Sequence, residues 1–315
     1  MKRLVTPALI TIFLLVTSNS FSATPVRVFV SIPPQKYFVE KIGGKLVDIS
    51  VMVAPGASPA TYEPKPQQMV ALTRTKIYFA IGVPFESAWL EKIASSNPEM
   101  RVLHSEAGVE KILMTPHQHY GEEGLPHYKK EGHGRENEGH QNKEEGDKSH
   151  HRGIKDPHVW LSPPMVMIQA RNILRALVSV DPAHRSVYDQ NYKNFINELV
   201  ELDEELRKVF TGQKEGVQFM VFHPSWGYFA GAYGLVQVPI EIEGKEPKAA
   251  ELKNLIEHAR ARGIKVIFAQ PQFSWQTAET IANSIGGQVV FVDPVALDWA
   301  NNLREVARKF RAAIR

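Results

Sequence analysis

The 315-residue chain contains no cysteine. That absence excludes a disulfide framework, a thiolate metal site and a lipidated N-terminal cysteine. An excess of charge of either sign is also lacking, since 37 Lys and Arg against 34 Asp and Glu leave a formal +3 at pH 7. A chain so nearly balanced has no electrostatic footprint for nucleic acid. Long apolar runs are absent outside residues 4–16, which follow Lys2 and Arg3 and precede small residues at Ser20, Ser22 and Ala23. This run is too short for a bilayer span of ~20 residues and has the three-part pattern of a secretory signal. Residues 1–23 are therefore expected to be a signal peptide, cleaved near Ser22 or Ala23. The exported remainder is expected to be soluble, in the periplasm of a bacterium with two membranes.

Histidine is what the chain has in excess. Seven of the twelve fall within residues 115–155: His117, His119, His127, His133, His140, His150 and His151. The same stretch holds seven glycines and only two aliphatic side chains, Leu125 and Ile154. So polar a segment cannot bury enough apolar surface to offset its ordering entropy, and imidazole is the commonest protein ligand for transition metals. A metal-collecting loop is expected there.

Elsewhere short apolar runs alternate with amphipathic ones. Residues 26–32, 47–53 and 77–81 read as strands, with helices over 35–42 and about 66–73 between them. After the histidine-rich stretch a helix is expected near 164–180. A long helical pattern then runs over 182–210, with Tyr188, Tyr192, Phe195, Leu199, Leu202, Leu206 and Val209 on one face and Asp181-Pro182 at its start. At about 1.5 Å per residue it exceeds 40 Å, enough to cross two lobes. Strands at 219–222, 236–242, 266–269 and 289–292 and helices at 247–262 and 301–315 repeat the alternation. The fold class expected is α/β, two Rossmann-like lobes of parallel sheet with flanking helices, joined by a long rigid helix. The divisions are 24–180, 181–212 and 213–315.

Ligand-binding residues in such sheets sit just beyond the carboxyl ends of strands. His223 follows one strand in Phe222-His223-Pro224, and Asp293 follows another in Val292-Asp293-Pro294. His158, in Asp156-Pro157-His158-Val159-Trp160-Leu161, is read in the same setting in the first lobe. Two imidazoles and a carboxylate make three of the four positions of a tetrahedral zinc site.

These phrases, with Pro55-Gly56-Ala57-Ser58-Pro59, Thr61-Tyr62-Glu63-Pro64 and Gly227-Tyr228, resemble the zinc and manganese solute-binding proteins of ABC transporters, the ZnuA-like family. The likeness covers nearly the whole mature chain and includes the histidine-rich insertion before Asp156. It implies one metal ion between two lobes, bound by His158, His223 and Asp293 and delivered to a membrane permease with its ATPase. Zn²⁺ is the expected ion, with Mn²⁺ or Fe²⁺ less suited to imidazole-rich ligation. A monomer with no enzymatic activity is expected. The family's first ligand is a histidine at the position held here by Ala60, which leaves the fourth place to Glu63, a loop histidine or solvent. The competing expectations are a periplasmic zinc buffer, a metal-dependent adhesin, or a zinc hydrolase exploiting an open fourth position.

Overall fold

A computed structural model describes residues 24–114, 154–241 and 245–314. The expected signal peptide and all seven loop histidines lie outside the described residues.

The first lobe is built from β1 (Val26–Val30), α1 (Pro33–Gly43), β2 (Val47–Val51), α2 (Pro66–Leu72), β3 (Ile77–Ala80), α3 (Pro84–Ser95) and β4 (Arg101–His104). All pairings are parallel, in the order β2-β1-β3-β4. β3 reads Ile-Tyr-Phe-Ala with every side chain buried, as a central strand covered on both faces requires. Helices α1, α2 and α3 each begin on a proline, where the missing N–H is no loss. At the carboxyl ends of these strands Glu86 is buried and accepts hydrogen bonds from Ser31 Oγ and from the backbone N–H groups of Ile81 and Gly82. Burial pushes its carboxyl above the ordinary value of 4.5.

Next come α4 (Pro163–Val180) and α5 (Arg185–Val209). The long helical run starts at Pro182, as expected, and its first turn, Pro182–His184, is 3-10 and leads directly into α5. The Asp181 carboxylate before it accepts from His184 Nδ1 (2.8 Å) and Tyr188 Oη (2.7 Å) and caps no backbone N–H. At 25 residues α5 is about 37 Å long.

The second lobe runs β5 (Val217–Val221), α6 (Gly227–Ala232), β6 (Leu235–Pro239), α7 (Ala249–Ala261), β7 (Val266–Ala269), α8 (Gln276–Ser284), β8 (Gln288–Phe291) and α9 (Trp299–Ala313). Its parallel sheet, β6-β5-β7-β8, has the same topology as the first. Both lobes therefore reverse strand order at the same place, between β1 and β3 and between β5 and β7. Those are the points where loops diverge and leave a crevice.

α5 is fastened to both lobes. Lys41 of α1 pairs with Glu198 at 2.6 Å and Arg304 of α9 with Glu205 at 2.6 Å. Phe195 packs against Phe38 with ring centroids 6.1 Å apart, and Trp299 meets Phe38 edge to face at 4.9 Å. One hydrophobic cluster thus runs from β1 and α1 through α5 into α9, and a second, smaller one fills the outer side of the second lobe.

Candidate metal centre

The second lobe supplies His223, two residues past the end of β5. Its backbone is gripped by Gln270, fully buried just beyond β7, whose Oε1 accepts from His223 N (3.1 Å) while Nε2 donates to His223 O (2.7 Å). The imidazole stacks on Phe273 at 4.6 Å and gives its Nδ1 to the buried carboxylate of Glu241, 3.0 Å away at the end of β6.

The first lobe supplies His158. It does not follow a strand, as the sequence suggested, but enters the 3-10 turn Val159–Leu161 that leads into α4. Val159, Trp160 and Leu161 are all buried there, so an apolar run that resembles a strand is in fact a turn packed into the core. Asp156 Oδ1 accepts from both Nδ1 (2.7 Å) and the backbone N (2.8 Å) of His158. Burial lowers the His158 pKa below its ordinary 6.5, against the opposing pull of Asp156, so the ring is held neutral.

The two imidazoles meet edge to face with centroids 5.3 Å apart. Each has its Nδ1 committed to a carboxylate, which leaves Nε2 as the nitrogen with a lone pair. This is the arrangement by which a carboxylate fixes tautomer and ring orientation in a metal-ligating histidine. Trp160 leans on His158 at 5.1 Å and, with Phe273 behind His223, closes the site with aromatic rings.

Asp293 is not gathered with them. Its Oδ1 accepts from Gln272 Nε2 (2.7 Å) and Val295 N (2.9 Å) within its own lobe. Ala60 and Glu63 are exposed. Among the described residues no group of three His, Asp or Glu side chains stands close enough to hold an ion. The donor chemistry nonetheless fits one: His158 and His223, in ring contact, each have Nδ1 on a carboxylate, which leaves two Nε2 atoms from opposite lobes as donors.

Residues 28–313 match the family described as zinc-uptake complex component A, periplasmic, known as ZnuA. The chain belongs to that family. A relative, the high-affinity zinc uptake system protein ZnuA of Bacillus subtilis, is 34% identical over 122 residues, 38% of this chain and 38% of that protein's length. A crystal structure of a ZnuA is 39% identical with a TM-score of 0.79, over 93% of this chain and all of that one. A ZnuA deletion mutant solved with zinc bound is 40% identical with a TM-score of 0.78, over 92% of this chain and 98% of that one.

Sequence reasoning did not find the carboxylates that orient the two ZnuA-type histidines here. Asp156 stood two residues before His158 and was available as a local signal. Glu241 is 18 residues from His223, and only its place beyond the end of β6, beside β5, marks it. Gln270 and Gln272 carried no signal, because an amide that grips backbone or carboxylate has no characteristic spacing.

Proposed function

We propose that this chain is the periplasmic receptor of a zinc-uptake ABC transporter, capturing one ion between its lobes and passing it to the permease and its ATPase. The observation that carries the reading is the contact between His158 and His223, one from each lobe, each with Nδ1 held by a buried carboxylate. Imidazoles whose orientation is fixed in advance bind an ion with little reorganisation. Asp293, its Oδ1 held by Gln272, is the third ligand, brought to the histidines when the ion binds. Glu63, exposed on the segment of Ala60, is the nearest carboxylate in sequence for the fourth position.

Two imidazoles with carboxylate suit zinc by ligand type, and the divalent series favours zinc over manganese at such a site. Bond-breaking chemistry is not part of this reading: the family is one of uptake components, and the buried carboxylates Asp156 and Glu241 are spent on orienting histidines. Elemental analysis of protein taken from its native compartment tests it, followed by zinc and manganese competition on the metal-free chain. One zinc per chain, not displaced by excess manganese, is expected. Stoichiometric manganese, or no metal, would contradict it.

A further inference from the structure

We propose that Gly227 is a positioning residue for the metal centre, acting across the lobe boundary by holding the Asp156 carboxylate in the one orientation that aims His158. The inference rests on the metal-site reading above and adds to it a residue with no donor atom of its own.

Gly227 opens α6 in the second lobe, and its backbone is not in the left-handed region that requires glycine. Space is the constraint. A Cβ added there would lie 2.9 Å from Asp156 Oδ2, 3.1 Å from Gln237 Nε2 and 3.3 Å from Ile112 Cδ1. The two polar neighbours are held by hydrogen bonds of their own, while Ile112, 39% exposed, can turn its Cδ1 aside. Gln237 is fixed by accepting from Trp226 N (3.0 Å) and donating to Pro224 O (3.4 Å). The backbone N of Ile112 donates to Tyr228 Oη at 3.1 Å, which ties this segment to the start of α6. Asp156 is 1% exposed, and any rotation that carries Oδ2 away from Gly227 draws Oδ1 off the Nδ1 and backbone N of His158.

Oδ2 itself is buried without a hydrogen-bond partner. Only glycine leaves that oxygen its space from this backbone position. Tyr228, the next residue, donates from Oη to the backbone O of Asp156 at 3.0 Å. Burial pushes the Tyr228 pKa up to about 12, so the hydroxyl keeps its proton for that bond. Gly227 and Tyr228 thus fix the side chain and the backbone of Asp156 from the opposite lobe.

The consequence for metal binding runs through the tautomer. With Nδ1–H on Asp156, the lone pair of His158 lies on Nε2. When the carboxylate is displaced, the ring is free to carry its proton on Nε2 and loses its donor atom. Loss of such an orienting partner lowers metal affinity about tenfold to a hundredfold.

Gly227→Ala is the test, with Gly231→Ala as control: Gly231 lies in the same helix, and a Cβ there meets nothing within 4 Å. Two quantities are read: zinc affinity by chelator competition, and the His158 tautomer of the metal-free protein by ¹⁵N NMR. Gly227→Ala should raise the zinc dissociation constant about tenfold to a hundredfold and mix the His158 tautomers, with Gly231→Ala unchanged in both. Combined with Asp156→Ala, Gly227→Ala should add no further loss, since both act through one carboxylate. If Gly227→Ala alone does not fold, recovery of folding in that double variant, from which the clashing carboxylate has been removed, supports the proposal, and failure to recover overturns it. Wild-type affinity and tautomer in Gly227→Ala, or a loss that adds to that of Asp156→Ala, would overturn the proposal. If His158→Ala binds zinc as tightly as wild type, the metal-site reading fails instead; the tautomer of the metal-free Gly227→Ala protein still decides whether Gly227 positions His158.

Discussion

The indole of Trp160 donates a 2.7 Å hydrogen bond to the carbonyl of Pro294, so the residue two past His158 is tied to the residue that follows Asp293. Trp299 extends the tie by donating from its own indole to the Trp160 carbonyl at 2.7 Å. Both indoles are buried, and the ladder fixes the first-lobe ligand phrase against the second-lobe one. Trp160→Phe removes the donor and leaves the Pro294 carbonyl buried without it, at a cost of about 1–3 kcal/mol. Urea denaturation of the metal-free protein should show that loss, together with weaker zinc binding. A variant unchanged in both would mean that the tie does not set the spacing of the ligands.

Protonation of His158 should limit stability at acid pH. Its folded-state pKa lies below the ordinary 6.5 because burial penalises the cation. Between that lowered value and 6.5 the unfolded chain holds a proton that the folded chain does not, so stability falls as the pH drops through this window. Above 6.5 both states are neutral and the contribution is complete. Metal-free wild type should lose more stability than His158→Asn between pH 7 and pH 5, measured by urea denaturation at each pH. Parallel profiles would show that burial does not perturb this ring.

The histidine-rich stretch leaves and re-enters the first lobe through one stem. Asp156 N donates to Ile112 O (2.9 Å), Met114 N donates to Ile154 O (2.8 Å), and Leu113 pairs with Lys155. Replacing 115–153 by a short turn should therefore preserve Asp156 and His158. Zinc titration of that deletion should retain one tight equivalent and lose weaker ones. Loss of the tight equivalent would show that a histidine of the stretch fills the position vacant at Ala60.

Glu86 should matter for stability and not for metal. Truncation to alanine strips the acceptor from the N–H groups of Ile81 and Gly82, each unsatisfied group costing about 1–3 kcal/mol, and leaves Ser31 Oγ only its bond with Tyr78 Oη. A lower melting temperature with unchanged zinc stoichiometry is expected. A change in stoichiometry would place this cluster within the binding machinery.

The architecture was legible wherever a strand is buried on both faces. β3 and β7 appear as unbroken apolar runs, and the helices with proline at their first position announce their own starts. Strand β4 escaped notice because Arg101 and His104 are exposed at its two ends and it has no apolar run, and α3 was missed along with it. At the site, His223 and Asp293 could be placed by the strand-end rule. His158 could not, since Val159-Trp160-Leu161 buries itself as a turn. That Asp293 turns to Gln272 instead of the histidines is a matter of side-chain packing, which has no signature in one sequence.

The central claim is that His158 and His223 share one ion, and calorimetric zinc titration of the metal-free protein, its His158→Ala and His223→Ala forms and the double variant tests it most directly. Each substitution should weaken the single tight site by orders of magnitude, because each removes a preoriented donor. Tight one-to-one binding that survives in the double variant would contradict the account.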